Sequence, residues 1–172
     1  MSRDRARAAA GSGLFLAVAP GVVAGAVPYW LTGWEAADPP LALQVAGGAL
    51  IAAGVPLLLH SFGRFVAEGI GTPAPVAPTE HLVVGGLYRY VRNPMYLAVE
   101  ATVLGQAALL GRPVLLAYAG VAGAVMWAFA RFYEEPALVR RFGAEYERYR
   151  RRVPGWLPRR VLMPRRAPPG PR

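Results

Sequence analysis

The fold is decided by residues 94–135, which read PMYLAVEATVLGQAALLGRPVLLAYAGVAGAVMWAFARFYEE. Two apolar stretches, 94–111 and 113–133, are separated only by Gly111-Arg112-Pro113. A helix rises about 1.5 Å per residue, so each stretch allows one upright crossing of a hydrocarbon core of about 30 Å. Because the connection is short, we expect an antiparallel hairpin whose polar ends are neighbours. Small residues are expected to let the two helices approach closely, namely Gly105, Ala107, Ala108, Ala119, Gly120, Ala122, Gly123 and Ala124.

The rest of the chain repeats this pattern of apolar stretches bounded by charge. The protein has 172 residues, of which 55% are hydrophobic. Two further stretches, about 13–31 and 41–62, are long and apolar enough to cross a membrane. Pro56 predicts a kink in the second stretch unless neighbouring groups satisfy the freed carbonyl. The sequence therefore predicts an all-α membrane protein with about four transmembrane helices in one domain, residues 1–158.

Beyond Pro136 the pattern becomes amphipathic. Apolar residues recur every three or four positions, at Leu138, Phe142, Tyr146, Tyr149 and Val153, and arginines and glutamates fill most positions between them. This spacing predicts one amphipathic helix over 136–153, which either lies on the membrane or folds back over the site. Pro- and Arg-rich composition begins at Pro154, and residues 159–172 are predicted to form a basic tail near lipid headgroups.

Positive charge is concentrated on one side of the predicted membrane. The net charge is +9, and arginines cluster before the first span, between the second and third, and after the fourth. The turn after the first span carries Glu35 and Asp38 instead. This asymmetry predicts cytoplasmic termini in a multi-pass protein of the cytoplasmic (inner) membrane. Anionic membrane lipid is an expected partner and nucleic acid is not, because no basic helix with aromatic base-stacking groups stands apart from the spans.

The N-terminal apolar stretch allows a second interpretation. Arginines followed by an apolar core and Ala24-Gly25-Ala26 also resemble a cleaved signal peptide. The apolar stretch continues to Trp34, which is longer than a typical signal-peptide core. A retained span is therefore favoured.

Composition excludes several kinds of site. The chain has no cysteine, which removes disulfides, thiolate zinc sites and thiol nucleophiles. It has no HExxH motif and no strand-linked GxGxxG motif, so metalloprotease and dinucleotide-fold interpretations fail. His60 and His81 are expected to be interface or loop residues, and no metal site is expected.

The long segment 63–91 is expected to cover one end of the hairpin. Its first half, 69–78, is too rich in glycine and proline for regular structure and is predicted to be an ordered loop over the site. Its second half, 81–90, is predicted to be a short extended piece that turns at Gly85-Gly86. These glycines either make the turn alone or also let the backbone approach a ligand.

The most concentrated polar chemistry lies at the cytoplasmic ends of the hairpin. Asn93 is predicted to cap the helix that begins at Pro94, beside Arg92 and the positive end of the helix dipole. Glu134 and Glu135 end the next helix and point about 100° apart. We expect one carboxylate to bind a ligand and the other to pair with an arginine, in a pocket suited to a zwitterion. A plain cap and a solvated helix terminus are the simpler alternatives.

Glu100 lies seven residues beyond Asn93, on nearly the same helical face and about 10 Å deeper in the membrane. A carboxylate at that depth is costly and is a functional candidate by default. It either contacts a substrate amine or has a structural partner, such as Gln106, a tyrosine or a neighbouring helix. Glu100 and Arg92 are the candidate catalytic residues, with Glu100 a general base only if the acceptor arrives protonated.

Five motifs occur in order between about Gly71 and Pro158. They are GTPAP over 71–75, LVVGGLYRYVRNPMY over 82–96, EEPAL over 134–138, Phe142-Gly143, and YERY over 146–149. In this order and spacing the chain resembles the integral-membrane methyltransferases that include isoprenylcysteine carboxyl methyltransferases and phospholipid methyltransferases. Asn93 stands where many carboxyl-methylating relatives have histidine.

The resemblance implies an S-adenosylmethionine donor bound at the cytoplasmic ends of the last two spans, beneath the C-terminal helix. The cofactor-binding residues that it implies are Tyr88, Arg92, Asn93, Pro94, Tyr96, Glu134, Glu135, Tyr146 and Tyr149. We therefore interpret residues 1–158 as one membrane methyltransferase domain that transfers a methyl group in line to a lipid-like or apolar small molecule. A membrane reductase of related architecture and a non-catalytic membrane scaffold are the alternatives.

Overall fold

A computed structural model of the protein describes residues 18–69 and 81–158, and only the backbone of 65–69. In chain order its elements are α1 (Val18–Thr32), α2 (Leu41–Gly69), a 3₁₀ turn (Gly86–Arg89), α3 (Pro94–Leu110), α4 (Pro113–Phe129), α5 (Glu135–Phe142) and α6 (Ala144–Arg152). A π-helical segment, Val22–Ala26, lies within α1, and another, Ala130–Glu134, joins α4 to α5. The predicted all-α class is confirmed for these residues. The predicted span start at 13–17, most of the loop over 69–78 and the tail over 159–172 lie outside them.

Two helical runs, Leu41–Arg64 and Pro113–Phe142, are long and apolar enough to cross a membrane. The helices Val18–Thr32 and Pro94–Leu110 are also apolar but shorter. Large apolar side chains such as Leu116 and Val121 are exposed on the outer face of α4. A helix that is apolar on its exposed face as well as its packed face suits a lipid environment.

The predicted hairpin of α3 and α4 is present, but α3 packs most closely against α2. A Cβ at Gly47 would lie 2.5 Å from the Gly105 carbonyl oxygen, and a Cβ at Gly54 would lie 2.9 Å from the Ala98 carbonyl oxygen. No side chain fits at such distances, so the glycines let the two helix backbones touch. The predicted role of Gly105 in the contact with α4 is wrong, because its open side faces α2.

Pro28 accounts for the π-helical segment in α1. Its ring crowds the carbonyl of Ala24, and it has no N–H to satisfy that carbonyl. The Gln106 side-chain amide donates to the Ala24 oxygen at 2.7 Å, and the Tyr118 hydroxyl donates to the Val23 oxygen at 2.8 Å. These two bonds attach α1 to α3 and α4. Pro56 also lies within a helix, and that helix continues to Gly69.

The predicted single amphipathic helix over 136–153 is wrong. Its first part continues from α4 without a break, because the wider π-helical turn accommodates Pro136 and its missing donor. The helix then ends at Gly143, whose φ of +48° and ψ of −124° favour glycine. The chain reverses there, and α6 folds back onto the segment that precedes α3. Of the two predicted placements, the structure therefore shows the fold-back.

The segment 81–93 runs beneath α6. Its predicted turn at the paired glycines is present, since Gly86 has a φ of +55° and begins the 3₁₀ turn. Leu82 and Val84 pack against a buried cluster formed by Tyr146, Tyr149 and Val153. This contact fixes the position from which α3 begins.

Candidate functional site at the polar ends of α3 and α4

The start of α3 is held by the residues that follow α6. The Arg92 backbone N–H donates to the Pro154 carbonyl at 2.9 Å, and the Asn93 backbone N–H donates to the Gly155 carbonyl at 3.2 Å. The Asn93 side-chain amide donates to the same Gly155 oxygen at 3.1 Å. Asn93 is the N-cap residue of α3 as predicted, but the predicted side-chain cap is wrong, because the amide binds a distant carbonyl and leaves α3 without a side-chain capping hydrogen bond.

Arg92 and Glu135 form the centre of the site. The Arg92 Nη1 lies 2.6 Å from Glu135 Oε1 and also donates to the Tyr146 hydroxyl at 2.9 Å. The side chains of Arg92 and Glu135 are each only 14% exposed. Arg131 and Arg150 approach the other Glu135 oxygen at 3.5 and 3.7 Å. Three guanidinium groups thus surround one carboxylate, and Glu135 has the arginine-pairing role predicted for one of the two glutamates.

Two buried tyrosines connect this cluster to the backbone beneath it. The Tyr149 hydroxyl donates to the Tyr88 carbonyl at 2.7 Å. Burial raises the pKa of Tyr149, and burial also raises the pKa of Tyr146 although Arg92 opposes that rise. Both phenols therefore stay protonated at neutral pH and remain able to donate hydrogen bonds.

Glu134 points to a different partner. Its Oε1 accepts a hydrogen bond of 2.9 Å from the Tyr96 hydroxyl, and the Tyr96 ring stacks on Trp156 with centroids 6.1 Å apart. The two adjacent glutamates therefore diverge, as their 100° separation on a helix predicts. Glu134 attaches α3 to the end of α4, whereas Glu135 attaches α5 to Arg92.

Glu100 lies apart from both groups, in a cleft between α3 and α4. The cleft has a volume of about 210 Å³. One Glu100 oxygen, Oε2, is buried and has no hydrogen-bond partner in the described part of the chain. Gln106 and Tyr118, which are among its possible structural partners, bind carbonyls of α1 instead. Tyr96 and Trp156 line the cleft, so it adjoins the polar site.

The structure brings together nine of the ten predicted site residues and leaves Glu100 deeper in the hairpin. Arg92 bonds Glu135 and Tyr146, the rings of Tyr146 and Tyr149 lie 6.2 Å apart, and Tyr149 bonds the Tyr88 carbonyl, so these residues form one set. Asn93 follows Arg92 and bonds Gly155, and Tyr96 and Glu134 form a second set. Pro94 is the buried first residue of α3 between the two sets.

Sequence reasoning missed Gly155, Trp156 and Arg150. Gly155 supplies a carbonyl, which every residue has, so no sequence signal distinguishes it. The sequence did contain a signal for Trp156, because a large aromatic residue is unusual in a Pro- and Arg-rich segment and indicates that this part of the segment is packed. No group of three or more potential metal ligands occurs in the described ranges 18–69 and 81–158.

These observations define a helical, membrane-type protein with a charged site at the mouth of an apolar hairpin. A model of the phospholipid methyltransferase family matches residues 43–145, which is more than half of the chain. The chain belongs to this family. The match covers Arg92, Glu100 and Glu135 and ends just before Tyr146.

One relative carries a more particular name. The protein-S-isoprenylcysteine O-methyltransferase of Schizosaccharomyces pombe is 39% identical over 80 residues, which are 45% of this chain and 33% of the relative. The aligned part thus spans about one third of the length of that relative. No solved structure matches the chain.

Proposed function

We propose that this protein is an integral-membrane methyltransferase that uses S-adenosylmethionine and acts on a lipid-like or apolar small molecule. Membership of the phospholipid methyltransferase family supports the reaction class, as does the similarity to a protein named as an O-methyltransferase. The observation that carries the proposal is the buried Arg92–Glu135 ion pair. It joins the start of α3 to the start of α5, and most of the other candidate residues gather around it.

The chemistry of the site fits a zwitterionic nucleoside. The Arg92 Nε is buried and has no hydrogen-bond partner among residues 18–69 and 81–158, so it suits a ligand carboxylate. Glu134 suits an ammonium or a ribose hydroxyl, and tyrosine rings suit an adenine. The residues that would hold the donor are Tyr88, Arg92, Asn93, Pro94, Tyr96, Glu134, Glu135, Tyr146 and Tyr149.

The donor supplies an electrophilic methyl group on a sulfonium. The protein would orient the reactants and limit the access of water. Tyr96 and Trp156 stack where the polar site meets the cleft, and their apolar ring faces would shield a bound donor from water. Arg92 remains fixed by Glu135 and Tyr146, so the side chain is preorganised for a ligand. No covalent intermediate is required for such a transfer.

The proposed topology has four spans and a cytosolic site. α1 and α3 are the shorter apolar helices, and α3 would cross in contact with α2. Arginines near both ends of the site favour the cytosolic side of an inner membrane. A reporter fused after Trp34 should be active on the periplasmic side, and a C-terminal reporter should be active in the cytosol. A periplasmic C-terminus would contradict this topology.

Donor binding tests the site directly. Titration calorimetry on the detergent-solubilised protein should show binding of S-adenosylmethionine. Glu135→Gln and Asn93→Ala should each weaken it about tenfold or more, because each removes a charge or hydrogen bond that organises the site. Glu35→Gln is the matched control, since Glu35 is 81% exposed in the turn near the opposite end of α3. Unchanged binding in both site variants would refute the site assignment.

The acceptor class can be narrowed in the same preparation. Membranes that contain the protein are incubated with methyl-labelled donor and then extracted with organic solvent. Label should appear in the lipid extract and should be absent with the Glu135→Gln variant. Donor binding without any label in the extract would indicate a water-soluble acceptor and would contradict the proposed lipid-like class.

A further inference from the structure

The last residues of α6 return to the level at which α3 begins. Arg150, near the end of α6, lies 3.7 Å from Glu135 at the start of α5, so the two helices run antiparallel. The carbonyl of Pro154 then accepts a hydrogen bond of 2.9 Å from the backbone N–H of Arg92, just before the first residue of α3. Because α3 is one of the four proposed spans, the segment 154–158 lies at the boundary of the proposed membrane.

The helix α5, in contrast, leads away from this boundary. The helical run Pro113–Phe142 has 30 residues and is therefore about 45 Å long, whereas a hydrocarbon core is about 30 Å thick. About 15 Å of the run extends beyond the core. Arg140 and Arg141 are exposed in its last turn, farther from the lipid than the end of α6.

The end of α6 and the segment after it expose both kinds of side chain that suit a lipid surface. Arg152 is exposed, and Arg151 is 68% exposed although it lies 4.0 Å from Glu147. Leu157 is 82% exposed, whereas its neighbour Trp156 is packed within the protein. A single exposed leucine is ordinary on a surface that faces water. At the level of the head groups it offers apolar area that lipid can cover.

An aromatic pair marks the same level on the neighbouring helix. Phe132 is 70% exposed and Tyr133 is 48% exposed. Both directly precede Glu134, whose carboxylate accepts the hydrogen bond from Tyr96 in the first turn of α3. Exposed aromatic rings concentrate where a membrane protein meets the lipid head groups. The start of α3 and the end of α4 therefore agree on where the head groups lie.

From this placement we infer that Arg151, Arg152 and Leu157 form a docking surface for an anionic bilayer. The two guanidinium groups bind lipid phosphates, and the leucine enters the layer beneath them. Docking steadies residues 154–155, which hold the start of α3, so donor binding is tighter on an anionic bilayer. The docking surface rests on the proposed topology, and its effect on the donor rests on the proposed function.

A fluorescent label at Leu157 tests the docking surface without any donor. The chain has no cysteine, so Leu157→Cys can carry a single nitrobenzoxadiazole group. We expect its emission to shift to shorter wavelength when phosphatidylglycerol is added to phosphatidylcholine nanodiscs, with quenching by nitroxide-labelled lipid. Ala144→Cys is the control, because Ala144 is exposed and begins α6, about 12 Å from Arg152 along the helix. A label at Leu157 that behaves as the Ala144 label does would overturn the docking surface.

Two double variants test the arginines and their effect on the donor site. We expect S-adenosylhomocysteine to bind about fivefold or more tightly in the nanodiscs that contain phosphatidylglycerol. This ligand has no net charge at neutral pH, so the surface potential does not concentrate it. Arg151→Gln with Arg152→Gln should remove the preference. Arg140→Gln with Arg141→Gln removes the same charge farther from the lipid and should retain it.

The outcomes separate the docking surface from the proposed function. Absent S-adenosylhomocysteine binding in both kinds of nanodisc refutes the proposed function, while the label at Leu157 still decides the docking surface. A shifted label with equal S-adenosylhomocysteine affinity in both lipids overturns the effect on the donor site. An affinity preference that survives the loss of Arg151 and Arg152, or that both double variants lose equally, overturns the role of these arginines.

Discussion

The polar site and the α2–α3 interface are held together in opposite ways. At the polar site, side chains from distant segments meet through ion pairs and hydrogen bonds centred on Arg92 and Glu135. At the α2–α3 interface, backbones meet because Gly47, Gly54 and Gly105 have no side chains. Charged groups can exchange partners when a ligand binds, whereas a backbone contact cannot relax without separating the helices. We therefore expect the polar site to adapt to a ligand and the α2–α3 interface to stay rigid.

The largest expected effect is at the centre of the polar site. Arg92→Ala removes the closest of three arginine partners of a Glu135 carboxylate that is 14% exposed. Arg131 and Arg150 remain at 3.5 and 3.7 Å, so the cost should lie at the lower end of the about 3–5 kcal/mol for a buried charge that loses its partner. We expect a clear drop in the midpoint of thermal unfolding in detergent. Arg151→Ala is the control, because Arg151 is 68% exposed and lies 4.0 Å from Glu147. Equal midpoints for the two variants would mean that the polar site does not depend on its ion pair.

The second-largest expected effect on stability is at the α2–α3 interface. Gly47→Ala forces a methyl group against the backbone of α3, and such overpacking costs about 1–3 kcal/mol. Gly48→Ala, one residue away, meets nothing within 4 Å and should be neutral or stabilising by up to about 1 kcal/mol, since alanine favours a helix. The difference between the two unfolding midpoints measures the contact. A Gly47→Ala protein as stable as Gly48→Ala would show that α2 and α3 separate easily.

Much of the framework could be predicted from the sequence because its signals are local. The hairpin follows from two apolar stretches and a short connection, and the divergence of Glu134 and Glu135 follows from helical geometry. The pairing of an arginine with one glutamate also follows, because both lie at neighbouring ends of the hairpin. These predictions required no knowledge of long-range packing.

The remaining features depend on groups that carry no distinctive sequence signal. Asn93 reads as a cap, but its amide donates to the carbonyl of Gly155, 62 positions away. Gly105 is a small residue in an apolar stretch, and the flanking sequence does not predict which helix it contacts. Gly143 lies within the range 136–153 predicted as one amphipathic helix, although its positive φ divides α5 from α6. In each case a tertiary contact or a single backbone angle overrides a sound local pattern.

The smallest expected effect on stability comes from the removal of one hydroxyl group at the polar site. Tyr149→Phe removes the hydroxyl that donates to the Tyr88 carbonyl and keeps the ring, so the variant loses one buried hydrogen bond at a cost of about 0.5–1.5 kcal/mol. Tyr133→Phe is the matched control, since Tyr133 is 48% exposed and its ring stacks on Phe129, a contact that phenylalanine retains. The midpoint of thermal unfolding should therefore be lower for Tyr149→Phe than for Tyr133→Phe. If they coincide, α6 is held by the apolar cluster of Tyr146, Tyr149 and Val153 rather than by hydrogen bonds, and the contrast between an adaptable and a rigid region no longer holds.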